Sequence, residues 1–123
     1  KKLKKRLLKM VCTDYKQGEV FLARLNPSKG KEPGKDRPVI VVQTNGLNET
    51  NYPTCIVVPC SSIDMPETLI RPLIEESFFD KKTYALLDQV RTVDVSKRFL
   101  KKVGKLSNDN LNLVINSLKN LIS

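Results

Sequence analysis

Arg37 stands at the threshold of a continuously apolar run, Val39-Ile40-Val41-Val42, behind the polar segment Gly34-Lys35-Asp36. Its guanidinium is a planar fork that donates two parallel hydrogen bonds and keeps its charge, a good match for phosphate. Pro38 has a fixed φ and no N–H, which suits the first residue of a strand and biases Arg37 toward extended backbone. Two further polar groups interrupt apolar runs. Ser61-Ser62 follows Pro59-Cys60, and Asp88-Gln89-Val90-Arg91-Thr92-Val93-Asp94 follows Leu86-Leu87. Each alone also has an ordinary reading: a surface charge, a turn, an internal polar network. The chain has no histidine. That excludes His-based proton transfer and argues against a catalytic zinc site, so no metal or cofactor is expected.

The composition bounds the partners. With 22 Lys and Arg against 13 Asp and Glu, the formal charge is +9, which points to an anionic partner. Six of those cations, Lys1, Lys2, Lys4, Lys5, Arg6 and Lys9, precede residue 14 with no acid among them. The remainder is only mildly basic. Residues 1–14 therefore read as a basic extension and 15–123 as a single domain. Leu3, Leu7, Met10 and Val11 recur at helical spacing in the extension, which suits either an amphipathic helix or a solvated tail. There is no apolar run long enough to span a membrane and no secretory leader pattern. Cys12, Cys55 and Cys60 are odd in number and form no CxxC pair. A reducing cytoplasm is the expected location. Cys55 and Cys60, an odd number of positions apart, should face opposite sides of one strand.

The elements that position the polar groups are mostly short strands. Val20 and Leu22 alternate with Glu19, Phe21 and Ala23, predicting a strand that ends at Asn26-Pro27. Residues 26–36 read as a loop, 38–43 as a strand and 44–53 as a second loop. Cys55-Ile56-Val57-Val58 predicts a third strand, stopped by Pro59. Thr68 to Ile74 reads as a weak edge strand because of Pro72. Tyr84 to Leu87 and Val90 to Val93 extend the sheet. The spacing predicts a mainly β chain with a small antiparallel barrel. Leu111, Val114, Ile115, Leu118, Leu121 and Ile122 then fall at helical intervals. Ser107 is the expected cap, Asp109 complements the helix dipole, and Leu106 is placed to staple against Leu111. This helix should pack on the barrel or across a dimer.

In combination these segments resemble a family. Gly18-Glu19-Val20, Leu25-Asn26-Pro27, Gly30-Lys31-Glu32 and Arg37-Pro38 with the following strand are similar to the first half of the MazF/PemK (Kid)-type toxins. Pro53-Thr54, Ile56-Val57-Val58-Pro59 and Ser61 match the next part. Leu86-Leu87 with the Asp88–Asp94 block, Gly104-Lys105-Leu106 and the last helix complete it, over about residues 16–122. The resemblance implies an SH3-like barrel with a C-terminal helix, of the MazF/CcdB/Kid type, forming a homodimer. It implies the toxin of a type II toxin–antitoxin system, a sequence-specific, metal-independent endoribonuclease cutting single-stranded mRNA. The implied partners are that RNA, an acidic antitoxin tail and, through the antitoxin, its DNA operator. The implied catalytic residues are Arg37, Ser61, Asp88 and Gln89, with Glu32, Lys35, Arg91 and Thr92 as RNA contacts. The Lys97, Arg98, Lys101, Lys102 cluster suits an acidic partner or a solvated basic face.

Such chemistry suits these residue types. RNA carries its own nucleophile, the 2′-OH, so cleavage to a 2′,3′-cyclic phosphate requires in-line positioning, charge stabilisation and two proton transfers. Arg37 and Ser61 would contact the phosphate. Asp88 is the acidic candidate for proton transfer, because arginine is too weakly acidic at neutral pH. The chain departs from Kid-like members in lacking histidine and in carrying Leu86 where they place an arginine. Ser61 replaces the commoner threonine, and the match is poor around Arg71-Pro72. Two other readings are a CcdB-like gyrase poison, disfavoured by the absence of Trp and the ending Leu121-Ile122-Ser123, and an inactive RNA- or peptide-binding barrel.

Overall fold

In the computed structural model, residues 14–25 and 36–123 are described. The basic extension, Cys12, Glu32 and Lys35 lie outside them. The described chain runs β1 (Glu19–Arg24), β2 (Asp36–Val41), α1 (Asn45–Asn48), β3 (Thr54–Ser61), β4 (Leu73–Ile74), β5 (Thr83–Ala85), a 3₁₀ turn (Leu87–Gln89), β6 (Arg91–Asp94), α2 (Val95–Arg98), β7 (Phe99–Lys105) and α3 (Asn108–Ile122). All strand pairs are antiparallel. The order is β4-β5-β3-β2-β1-β7, with β6 also on β3. The sheet curls into a half-barrel.

Alternation sorts the apolar side chains into two cores. Phe21, Ala23, Val39, Val41, Cys55, Val57, Val93, Val95 and Phe99 form the inner one. Val20, Ile40, Val58, Cys60, Ile74, Ala85, Leu87 and Leu106 form the other, covered by Val114 and Leu118 of α3. Successive residues thus bury on opposite faces, which is why Val39–Val41 of β2 and Val57–Cys60 of β3 are continuous apolar runs. Cys55 and Cys60 fall in different cores, as their spacing predicts. Both are free thiols, pushed up to about 12 by burial, and so are unreactive.

Several boundaries differ from the sequence reading. β3 continues through Pro59 to Ser61. Pro59 sits opposite Val39 of β2, yet its carbonyl accepts from Leu86 N–H on the other edge. Its missing N–H therefore faces the point where that edge changes partner from β6 to β5. No ladder bond is lost there. The strand expected over Tyr84–Leu87 ends at Ala85, and Leu87–Gln89 forms the 3₁₀ turn. The weak strand around 68–74 reduces to a Thr68–Arg71 bridge and β4. Asn45–Asn48 is a short helix within the segment read as a loop, and Val95–Arg98 is another in a segment to which the sequence reading gave no element.

β7 has no counterpart in the sequence reading. Its run of Leu100, Lys101 and Lys102 is exposed on an edge, so no apolar alternation marks it. At the helix, Ser107 Oγ accepts from Asn110 N–H and Asp109 lies in the first turn, as expected. Leu106 and Leu111 both pack in the outer core. Leu121 and Ile122 do not, and stay exposed.

Gly104 makes the closest approach in the fold. A Cβ there would lie 2.5 Å from the Phe78 ring, which packs on the outer core. Gly104→Ala should lower the urea unfolding free energy by about 1–3 kcal/mol, as overpacking does. Phe78→Leu in that background should restore part of the loss.

Candidate active site

Three elements bring polar side chains to one cleft of about 410 Å³, lined by Leu25, Arg37, Pro59, Gln89 and Arg91. β2 supplies Arg37, two residues before Val39 of the inner core and therefore on the same strand face. β6 supplies Arg91 by the same rule, two residues before buried Val93. Pro59 of β3 and Leu25, just past β1, are buried and apolar. The 3₁₀ turn supplies Gln89, its backbone closed by Gln89 N–H to Leu86 O and Val90 N–H to Leu87 O.

Arg37 is half-buried, while Gln89 and Arg91 are exposed. Among the described residues neither arginine has an ion-pair partner. Two uncommitted guanidinium forks and a carboxamide thus face one space above an apolar floor. Two fixed cations favour a dianionic or phosphorane-like charge, and the amide can both donate and accept. Among the described residues the lining holds no carboxylate and no thiol.

The other site residues named from the sequence lie elsewhere. Asp88 points away from the cleft lining, in a two-point ion pair with Arg71: Nε to Oδ1 at 3.3 Å and NH2 to Oδ2 at 3.1 Å. The guanidinium holds the Asp88 carboxyl below its ordinary range, the opposite of what a general base near neutral pH needs. Ser61 is buried, and its Oγ accepts from Ile63 N–H, so it closes a turn at the end of β3. Thr92 alternates with Arg91 and Val93 and therefore points to the opposite face of β6. Asp94 caps α2, accepting from Lys97 N–H and Ser96 Oγ, and its carboxyl is lowered chiefly by the Ser96 bond. The structure thus gathers Arg37, Gln89 and Arg91, and leaves Ser61, Asp88 and Thr92 outside the lining.

The comparisons with known proteins agree with this architecture. Residues 16–122 match the model of the PemK-like, MazF-like toxin of type II toxin–antitoxin systems. The chain belongs to that toxin family. It is 34% identical over 106 residues to Endoribonuclease MazF of Staphylococcus saprophyticus, covering 84% of this chain and 87% of that protein. It is 35% identical over 105 residues to Endoribonuclease MazF of Staphylococcus epidermidis, with the same coverage of 84% and 87%. Its fold is similar to crystalline MazF from Deinococcus radiodurans, with a TM-score of 0.69 at 18% identity over 88% of this chain and 96% of that one. It is also similar to a mycobacterial endoribonuclease in complex with its cognate antitoxin, with a TM-score of 0.71 at 14% identity, covering 88% and 94%.

For a member of the PemK/MazF family, two cleft features carried no sequence signal of their own. Leu25 and Pro59 are apolar residues among many, and only the packing shows that they form the floor. Arg71 is the other missed residue. It precedes Asp88 by 17 positions, and nothing local pairs them.

The ion pair fixes a pH dependence. Because folding lowers the Asp88 pKa, its contribution exists above the ordinary carboxylate value and disappears as pH falls through the folded value. Thermal unfolding of Asp88→Asn should show a deficit of at most about 1 kcal/mol at neutral pH. That deficit should shrink as the pH falls below the ordinary carboxylate range and vanish once wild-type Asp88 is itself protonated.

Proposed function

We propose that this toxin is an endoribonuclease whose cleft binds the scissile phosphate of single-stranded mRNA between Arg37 and Arg91. The supporting observation is the convergence of those two uncommitted guanidinium groups with the Gln89 amide over an apolar floor. The homologues named Endoribonuclease MazF favour the same reaction. In it the ribose 2′-oxygen attacks the adjacent phosphorus, and the bond from phosphorus to the 5′-oxygen breaks. The products are a 2′,3′-cyclic phosphate and a 5′-hydroxyl, with the proton moving from the 2′-oxygen to the departing 5′-oxygen. The nucleophile is the substrate's own, so the step requires no metal to create one.

Arg37 and Arg91 neutralise the charge that grows on the non-bridging oxygens, and this contribution is larger in the transition state than in the ground state. Gln89 orients the phosphate or the neighbouring ribose through its amide. Among the described residues the lining offers no carboxylate, so the two proton transfers are assigned to solvent within the cleft. Arg37→Ala should reduce cleavage by about 100-fold or more, the usual loss for a charge-stabilising donor. The thermal midpoint should stay close to wild type, because Arg37 has no ion-pair partner among the described residues. End mapping of a long RNA in EDTA checks both rate and product. Undiminished cutting, or ends without cyclic phosphate, counts against the assignment.

The same cationic cleft suits the acidic tail of an antitoxin, with exposed Lys97 and Lys101 extending the positive surface. A second copy of the chain is the proposed partner for the remaining apolar surface. Leu69, Ile70, Leu113 and Leu121 are exposed on one side of α3 and the neighbouring 68–72 segment. Leu113→Lys combined with Leu121→Lys should convert a dimer to a monomer in light scattering without loss of helix content. A monomeric parent protein would refute this assignment.

A further inference from the structure

Asp88 is taken up by a partner that the family resemblance does not supply. Arg71 lies in the region where this chain departs from the family pattern, and it ends a tight turn. Its N–H donates to Thr68 O and to Thr68 Oγ1, both at 3.1 Å, while Thr68 N–H returns to Arg71 O at 3.3 Å. The backbone beneath the guanidinium is therefore fixed before the side chain reaches across. On the far side, three consecutive residues of the site turn are each held from a different place. Leu86 N–H donates to Pro59 O at 2.9 Å, and Leu87 N–H donates to Ile70 O at 3.0 Å. Asp88 receives both arms of Arg71. The next residue is Gln89, in the cleft.

We propose that Arg71 is a positioning residue: by clamping Asp88 at two points it fixes the 3₁₀ turn and thereby holds the Gln89 amide against the cleft. Asp88 then acts as the receptor for that clamp, and not as a proton-transfer group. Geometry favours the clamp over a fortuitous surface pair. Both arms engage, and the pair continues the backbone ties that already join these two segments, the β4–β5 ladder with Ala85 N–H to Pro72 O and Leu87 N–H to Ile70 O, one residue further toward Gln89. The side chains are about one-third exposed, at 34% and 36%, so the pair contributes little to global stability. Its effect is local, on the placement of one turn. Small displacements of a positioning group cost activity out of proportion to stability.

This inference rests on the ribonuclease reading only for its kinetic half. The experiment has two arms, run on the whole chain. In the first, the Gln89 side-chain amide signals of the free protein are followed by NMR in wild type, Arg71→Gln, Arg71→Lys and Asp88→Asn. The clamp requires Gln89 to shift or broaden alike in Arg71→Gln and Asp88→Asn, with a smaller change in Arg71→Lys, which keeps the charge but not the fork. An unmoved Gln89 overturns it. In the second arm, kcat and KM for RNA cleavage are measured for the same variants and for the double variant Arg71→Gln/Asp88→Asn.

Loss of positioning should lower kcat by about 5- to 50-fold in each single variant. The double variant should lose no more than the worse single one, because both remove the same link. If Asp88 is instead the base, Asp88→Asn alone falls by about 100- to 10,000-fold and exceeds Arg71→Gln. If only charge near the cleft matters, the two single variants move in opposite directions, since one removes a cation and the other an anion. Either result overturns the clamp. Should the wild type cut no RNA, the ribonuclease reading falls, and the NMR arm still decides the clamp.

Discussion

The molecule depends on β3 being shared. One edge of this strand pairs with β2 over Val57–Pro59, and the other serves β6 along Thr54–Val57 and β5 at Cys60–Ser61. Its side chains supply both cores, Cys55 and Val57 to one and Val58 and Cys60 to the other. A strand buried on both faces and paired on both edges has no freedom to slip, because a one-residue shift would exchange the cores. The exchange of partners on its outer edge opens a gap at Pro59. That gap is where the 3₁₀ turn enters, and proline fits because no N–H is required of it. The cleft is the space left by this change of partner. Its floor is Pro59, and its walls come from the strands and the turn that meet there.

This origin explains which parts were legible in the sequence. β2, β3 and α3 could be read because they bury surfaces with a fixed period: apolar runs in the strands, and i, i+3, i+4 spacing in the helix. Arg37 could be located because it is tied to β2. β7 could not, because an edge strand with exposed Leu100, Lys101 and Lys102 carries no alternation to read. The Asp88–Asp94 block was visible as a unit but its members' roles were not. Strand alternation splits Arg91 from Thr92, while Asp94 serves the next helix as a cap. A sequence shows that a carboxylate is present; it does not show whether an arginine folded from elsewhere already occupies it.

The inner core and the cleft also divide the labour of the charged residues. Cations near the cleft that could collapse onto an acid do so away from it. Arg24 pairs with Asp36 at 3.1 Å, and Lys102 pairs with the buried Glu19. Arg71 pairs with Asp88. Each of these acids satisfies a cation on the surrounding surface, while Arg37 and Arg91 of the cleft have no ion-pair partner among the described residues. An acid placed among the lining residues would neutralise them and raise the cost of bringing in phosphate. A carboxylate base in this cleft would therefore work against the arginines proposed to bind the phosphate.

That conflict bears on how a chain without histidine can cut RNA. A base close to two free arginines would itself be drawn into an ion pair, its pKa depressed and its proton affinity lost. The arrangement seen here avoids the conflict by separating the tasks. The cleft supplies charge and orientation, which are the larger contributions when the nucleophile is part of the substrate. The carboxylate that neighbours Gln89 in sequence is turned outward and used as an anchor. Rigidity in the turn then matters more than acidity, because an amide contributes to phosphate orientation only if it is held where the phosphate arrives. On the proposed reading the acid of the Asp88-Gln89 pair serves its neighbour through the backbone, and charge and orientation come from two guanidiniums and an amide.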